Sequence, residues 1–389
     1  MSSDRLSDSR GFAAPAIVLL AGVLLAVALL LSGFSASARA QSDTPAIRVL
    51  FINPAPPEDK HWALTTEVMQ AAARDLNVDL TVQNAFYSGQ YILKYVTLAA
   101  QQPQKPDYII FRNIDKIAEQ VFAITDPAGI KTLTIDAPMG GSELKALGGP
   151  RQKIKTWIGQ FVPNNIAVSK KMAELLVGTA LKVNPNGIVE AMAITGPEAD
   201  IGSQFRLSGF AKTLRDSNRA RLIHAFPANW DERTGDRAAY KAFRHAAKAA
   251  VWWVANDAMT LGVLNVLRNT HRKVGADTFV GAYNWTEPMM TAILQSKVAY
   301  VAGGDFIQGA AALILAYDHS QGRDFVDTGV NHTMEMGFLY RDNVSNIGRI
   351  VIAGAWDRVD FRRFSRAANP GLTQYVFDVN TILRAVLGQ

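Results

Sequence analysis

From Ile47 onward the chain repeats one local pattern. A short run rich in β-branched residues is followed by a longer segment with apolar residues at helical spacing. Strands are expected at 47–53, 78–82, 107–111 and 130–135, with helices at 61–76, 92–101 and 115–124 between them. Such alternation folds as a parallel sheet with helices on both faces, because each connection must travel back along the sheet and does so as a helix. The pattern pauses at 138–155, which is rich in Gly, Pro and Lys, and resumes with a strand at 157–161 and a helix at 165–181. A second series then runs through strands at 187–195, 221–225, 250–255 and 278–283 and helices at 203–216, 234–246 and 258–270. The fold class is therefore α/β, with two doubly wound parallel-sheet lobes. In such lobes a ligand sits outside the carboxyl ends of the strands.

Composition removes several classes of function. There is no cysteine, which excludes a disulfide scaffold, a thiolate metal site, a cysteine nucleophile and a lipid-modified N-terminal cysteine. The formal charge is +6, but the basic residues are scattered, with no run longer than a pair such as Arg362-Arg363. No nucleic-acid partner is expected. Before the alternation begins, no residue between Gly11 and Ala38 is charged, and 17–31 is continuously apolar. Arg5 and Arg10 precede this run and Ala38-Arg39-Ala40 follows it, the layout of a secretory signal peptide over residues 1–40. The same run is long enough to serve as a retained membrane anchor. Either outcome places the rest of the chain outside the cytoplasm.

Almost every expected strand ends in polar or aromatic residues. Asn53 closes the first, and the next helix opens with His61-Trp62. Arg112-Asn113 and Asp136 follow the third and fourth. In the second series Thr195-Gly196 leads to Gly202 and Arg206, and later ends carry Asn229-Trp230-Asp231, Asn256-Asp257 and Asn284-Trp285. Any one of these reads as a helix cap or a packed aromatic. Together they suit a small polar molecule with flat apolar faces, as a sugar has: indoles stack on C–H faces, and Asp, Asn and Arg pair with hydroxyls.

These residues sit in a recognisable order. VLFINP at 49–54, HW at 61–62, WIGQFVPNN at 157–165, ITG at 194–196 and RLSGF at 206–210 are followed by NWDER at 229–233. AND at 255–257, GAYNW at 281–285 and GGDFIQGAAALIL at 303–315 complete the series. The chain resembles type I periplasmic solute-binding proteins of the ribose/galactose type, the sugar-binding proteins of ABC transporters, which include a relative that binds autoinducer-2. The resemblance spans residues 47 to about 326. It implies that His61 and Trp62 cover one sugar face and Trp230 the other, with Asp136, Arg206 and Asn256 on hydroxyls and Asn113 or Arg112 beside them. Asn53, Asn284 and Asp305 complete the implied ligand-binding set. Asn284 stands where many ribose-type relatives have aspartate, Ala137 where they have arginine, and Asp305 where the branch has histidine, so the pocket is altered.

Three hinge crossings are expected, near 161–162, at Gly303-Gly304 and near 336–340. They divide the exported chain into an N-terminal lobe of 41–160 plus 304–337 and a C-terminal lobe of 161–303 plus 338–389, ending in a helix at 373–387. Arg206 is expected to point into the cleft, the alternative being a surface salt bridge to Asp200.

No other chemistry is supported. The six histidines are dispersed with no zinc spacing, and P-loop, dinucleotide and nucleophile-elbow motifs are lacking. No metal, no cofactor and no catalytic residue is expected. The expected function is an exported, monomeric binding protein. It closes on a small polar ligand, a sugar by the resemblance, and delivers it to an ABC transporter permease in the periplasm. The alternatives are a ligand-sensing co-receptor for a membrane sensor kinase or cyclase and, more remotely, a sugar-processing enzyme.

Overall fold

Central strands buried on both faces read as unbroken apolar runs, and edge strands alternate. β1 (Arg48–Asn53), β3 (Tyr108–Phe111) and β8 (Val251–Val254) are nearly or wholly buried, while β2 (Asp79–Asn84) and β7 (Ala220–Pro227) are half-exposed. This contrast orders the two sheets of the computed structural model, which describes residues 47–388. With β4 (Lys131–Ile135), β5 (Trp157–Pro163) and β11 (Asn331–Met334), the first sheet has the order β11-β5-β4-β3-β1-β2, all parallel. With β6 (Val189–Thr195), β9 (Phe279–Tyr283), β10 (Tyr300–Gly303) and β12 (Gly337–Leu339), the second has the order β12-β10-β9-β8-β6-β7. Its last pair, β10 with β12, is antiparallel, a departure from the all-parallel expectation. The expected signal peptide lies outside the described residues. Among those residues, no helix is long and apolar enough to cross a membrane.

Helices fill both faces. The first lobe holds α1 (Lys60–Asp75), α2 (Gly89–Gln101) and α3 (Ala118–Thr125), and the second series begins with α5 (Asn165–Val183) and α6 (Ile201–Asp216). The Gly-, Pro- and Lys-rich pause contains a short helix of its own, α4 (Gly141–Leu147). In the second lobe follow α7 (Glu232–His245), α8 (Asp257–Asn269) and α9 (Glu287–Leu294). α10 (Gln308–Ser320) returns to the first lobe and packs along α1.

The chain passes between lobes after Pro163, at Gly303-Gly304 and between Met334 and Gly337. The first and third crossings are tied together: the Asn164 N–H donates to Met334 O at 2.8 Å, and Asn164 Nδ2 to Glu335 Oε1 at 2.7 Å. Gly304 sits at φ 95°, where a side chain would be strained and would meet Val379.

The C-terminal segment departs from the expected boundary, which gave all of 338–389 to the second lobe. α11 (Val344–Ala353) packs on α9 in that lobe, but Gly354 then turns the chain back over the first. Trp356 meets Phe306 at 5.6 Å between ring centroids, and the Phe361 N–H donates to Asp75 at 2.8 Å. Asp318 on α10 accepts from Ser365, from the Arg366 and Ala367 amides and from Tyr375. The expected terminal helix is shorter, α12 (Val379–Val386). Tyr375 and Phe377 lie before it and pack on His332 and Phe161. Those aromatics are held by tertiary contacts that helical periodicity does not report.

Candidate functional site

The carboxyl ends of both sheets and the N-termini of the helices that follow meet around one narrow cavity between the lobes. Convergence here follows from the parallel connections, which put every strand exit and helix entrance on the same side.

The first-lobe wall is built by the cap of α1. Asp59 accepts from the Trp62 N–H at 3.0 Å and from the Tyr87 hydroxyl at 2.6 Å. This cap fixes the first turn, so that His61 and Trp62 line the cavity, their rings edge-to-face at 5.3 Å. Beyond them Arg112 donates through Nε to Asp136. Its Nη2 donates at 2.6 Å to Asp200, which belongs to the second lobe.

The second-lobe wall is also made of helix entrances. Asp200 caps α6 by accepting from the Ser203 N–H at 2.9 Å. One turn later Arg206 reaches inward. Its Nε donates to Asn165 Oδ1 and its Nη1 to the Ala255 carbonyl, both at 2.8 Å, while Nη2 faces Asp305 at 3.4 Å. The guanidinium lies 4.6 Å from the centre of the Tyr283 ring, a cation–π contact. Trp230, at φ 63°, lays its indole over Gly196; a Cβ there would stand 2.1 Å from the ring, so only glycine admits this pose. Asn256 caps α8 through the Met259 N–H and donates to the Trp230 carbonyl, both at 2.9 Å, which anchors the tryptophan's backbone. Asn284 donates to Asp257 at 2.8 Å.

Burial and charge act against each other in this wall. Burial alone would raise the Asp136 pKa, but Arg112 and then Arg206 outweigh it and hold the carboxyl below its ordinary value. For Arg112, burial favours the neutral form, and the Asp200 and Asp136 carboxylates overturn that, raising its pKa. Asp257 is raised by burial and then by repulsion from Asp59, with hydrogen bonds from Asn284 and Thr286 opposing. Tyr87 is raised by burial and by Asp59. Among the described residues no cluster of three or more His, Asp or Glu could hold a metal ion.

Of the expected residues, His61, Trp62, Asp136, Arg206, Trp230, Asn256 and Asn284 line the cavity together. Three do not. Asn53 fastens the end of β1 to α1, donating to Thr66 at 3.1 Å and accepting from the Ala55 N–H at 3.0 Å. Asn113 turns away to Glu143 and Met139 and accepts from the Ala118 N–H, so Arg112 is the one of that pair that faces the cavity. Asp305 is fully buried at the hinge behind Arg206, 4.0 Å from His61 Nε2. Arg206 does not pair with Asp200, because Arg112 has taken that carboxylate.

Sequence reading passed over Asp59, Tyr87, Asn165 and Asp200 as lining residues. Tyr87 follows β2 and was open to the strand-end rule. Asn165 closes the WIGQFVPNN run. Asp59 and Asp200 are helix caps that also face the cavity.

Comparison with known proteins bears on this geometry. The model of the periplasmic binding protein domain family matches residues 49–324. A periplasmic sugar-binding protein from Pseudomonas fluorescens has 25% identity and a TM-score of 0.78, over 87% of this chain and 99% of its own. An ABC transporter periplasmic solute-binding protein from Actinobacillus succinogenes 130z, solved with D-allose, has 15% identity and a TM-score of 0.66, over 77% of this chain and 99% of its own. The myo-inositol-binding protein of Caulobacter has 16% identity and a TM-score of 0.63, over 78% and 96%. No curated protein matches the chain by sequence.

Proposed function

The chain belongs to the periplasmic binding protein domain family, and from that premise we propose that it is an exported receptor for a small polyhydroxylated ligand of the sugar class. It closes on that ligand in the periplasm and passes it to an ABC transporter permease. Residues 1–40 act as the export signal. The observation that carries this reading is that Trp62 from one lobe and Trp230 from the other line one cavity whose remaining wall is largely polar. Indole faces suit the C–H faces of a sugar ring, each stack contributing on the order of 1 kcal/mol beyond burial. Asp136 accepts from hydroxyls on the first-lobe side, and the N–H groups of Arg206 not engaged by protein donate from the second. Asp305 orients Arg206 from behind. A ligand bridging both walls favours the closed form by its differential affinity for it.

Calorimetry of the exported chain against pentoses, hexoses and polyols tests this. Binding at micromolar Kd or tighter, with a change in tryptophan fluorescence, is the expected result. Heat without saturation, or conversion of the sugar to a product, would contradict it.

A further inference from the structure

Both guanidinium groups of the cavity are already held by protein acceptors. Arg112 gives Nε to Asp136 and Nη2 to Asp200. Arg206 faces Asp305, with Asn165 and the Ala255 carbonyl on its other nitrogens. All of these charged side chains are nine-tenths buried or close to it. The cavity also carries Asp59, whose partners are the neutral Trp62 amide and Tyr87 hydroxyl. A ligand carboxylate or phosphate entering here would meet guanidinium charges already balanced by protein carboxylates and would face carboxylates on several sides. Juxtaposed like charges in a desolvated site are strongly unfavourable.

Asp200 is the distinctive member of this set. It reaches Arg112 from the opposite lobe and takes Nη2, a guanidinium nitrogen that a bidentate acidic ligand would need. Resting on the reading above, we propose that Asp200 is a specificity-determining residue: its carboxylate stands in for a ligand acid on Arg112, so the receptor takes uncharged polyols and rejects sugar acids and sugar phosphates. The arrangement also makes Asp200 part of closure, since its bond to Arg112 joins the two lobes directly.

The test is a set of matched titrations, each hexose against its own uronate, with the full exported chain. The hexose that binds is expected to bind at least about tenfold more tightly than its uronate. Asp200→Asn keeps the cap on the Ser203 amide, because Asn caps helices as well as Asp, and removes one negative charge from the fork. In that variant the hexose-to-uronate ratio is expected to fall by about tenfold. Asp200→Ser also caps but is too short to span to Arg112, and it is expected to fall likewise, whereas Asp200→Glu should retain most of the ratio. A uronate that binds the unaltered chain as tightly as its hexose overturns the proposal while leaving the receptor reading intact. So does an unchanged ratio in both Asp200→Asn and Asp200→Ser. Failure of every hexose, polyol and uronate to bind overturns the receptor reading and the proposal with it.

Discussion

The two lobes share a strand order yet present their tryptophans to the cleft on different terms. Each sheet places its first strand between its second and third and adds the rest outward in sequence. Trp62 is 5% exposed and belongs to the hydrophobic core as well as to the cavity wall. Trp230 is half-buried: it rests on Gly196 and packs against the edge of the core, with its carbonyl held by Asn256. The charged residues differ in the same way. Arg112 and Asp136 form a pair within the first lobe, whereas Arg206 of the second leans on Asp305 at the hinge. One topology thus gives a wall whose tryptophan is buried in the core and a wall whose tryptophan sits at the core's edge.

Substitution of the two tryptophans is the strongest way to break this comparison. Trp62→Ala is expected to cost about 3–5 kcal/mol of stability, as removal of a buried aromatic does, in addition to weakening binding. Trp230→Ala is expected to cost below about 1.5 kcal/mol of stability, while weakening binding by roughly fivefold, the loss of one stacked indole. Urea unfolding and calorimetry on both variants read the two effects separately. Equal stability losses would show that the lobes are alike after all.

The next effect concerns Arg206. A surface position would tolerate Arg206→Ala without harm to folding, but the residue is buried, and its removal leaves Asp305 without a guanidinium partner. Breaking a buried pair from one side costs about 3 kcal/mol, so the variant should unfold at lower denaturant and bind ten- to a hundredfold more weakly. Adding Asp305→Asn should restore much of the stability and little of the affinity. Recovery of both together would mean that Arg206 acts only through the pair.

The smallest effect sharpens the electrostatic contrast. The Asp136 pKa is depressed in the fold, so its contribution is present above the unfolded value of about 3.9 and is lost as pH falls through the folded value. The Asp257 pKa is raised, so the folded state holds that proton longer, and stability declines as pH rises from about 3.9 through the folded value. Asp257→Asn should therefore gain on the parent as pH rises through that upper window, reaching about 1–3 °C in Tm at neutral pH. Asp136→Asn should lose on the parent as pH rises through the lower window. Thermal unfolding from pH 3 to 7 checks both signs; a shared sign would remove the contrast.

The lobes were legible because their signal is local. Runs such as YIIF at 108–111 and VWWV at 251–254 announce central strands by burial on both faces, and helical spacing announces the connections. The strand-end rule also led to the right zone, since nine of its residues meet in one cavity. It did not tell which way each side chain turns. Asn53 and Asn113 end strands as Asn256 and Asn284 do, but nearby groups, Thr66 for one and Glu143 for the other, draw their amides out of the cleft.

What the amino-acid sequence determined by itself was therefore the periodicity: two α/β lobes, the side on which their strands exit, and the residue types waiting there. Which guanidinium meets which carboxylate was left to the tertiary structure. The partners of Arg112 lie 24 and 88 residues away, and that of Arg206 lies 99 away, each arriving from a different element. Spacing along a chain carries no record of such pairings, because burial and the approach of the two lobes select among several aspartates that look alike in sequence. The C-terminal return over the first lobe has the same origin. Asp318, on the helix that packs along α1, gathers the 365–375 segment through hydrogen bonds between groups 47 to 57 residues apart.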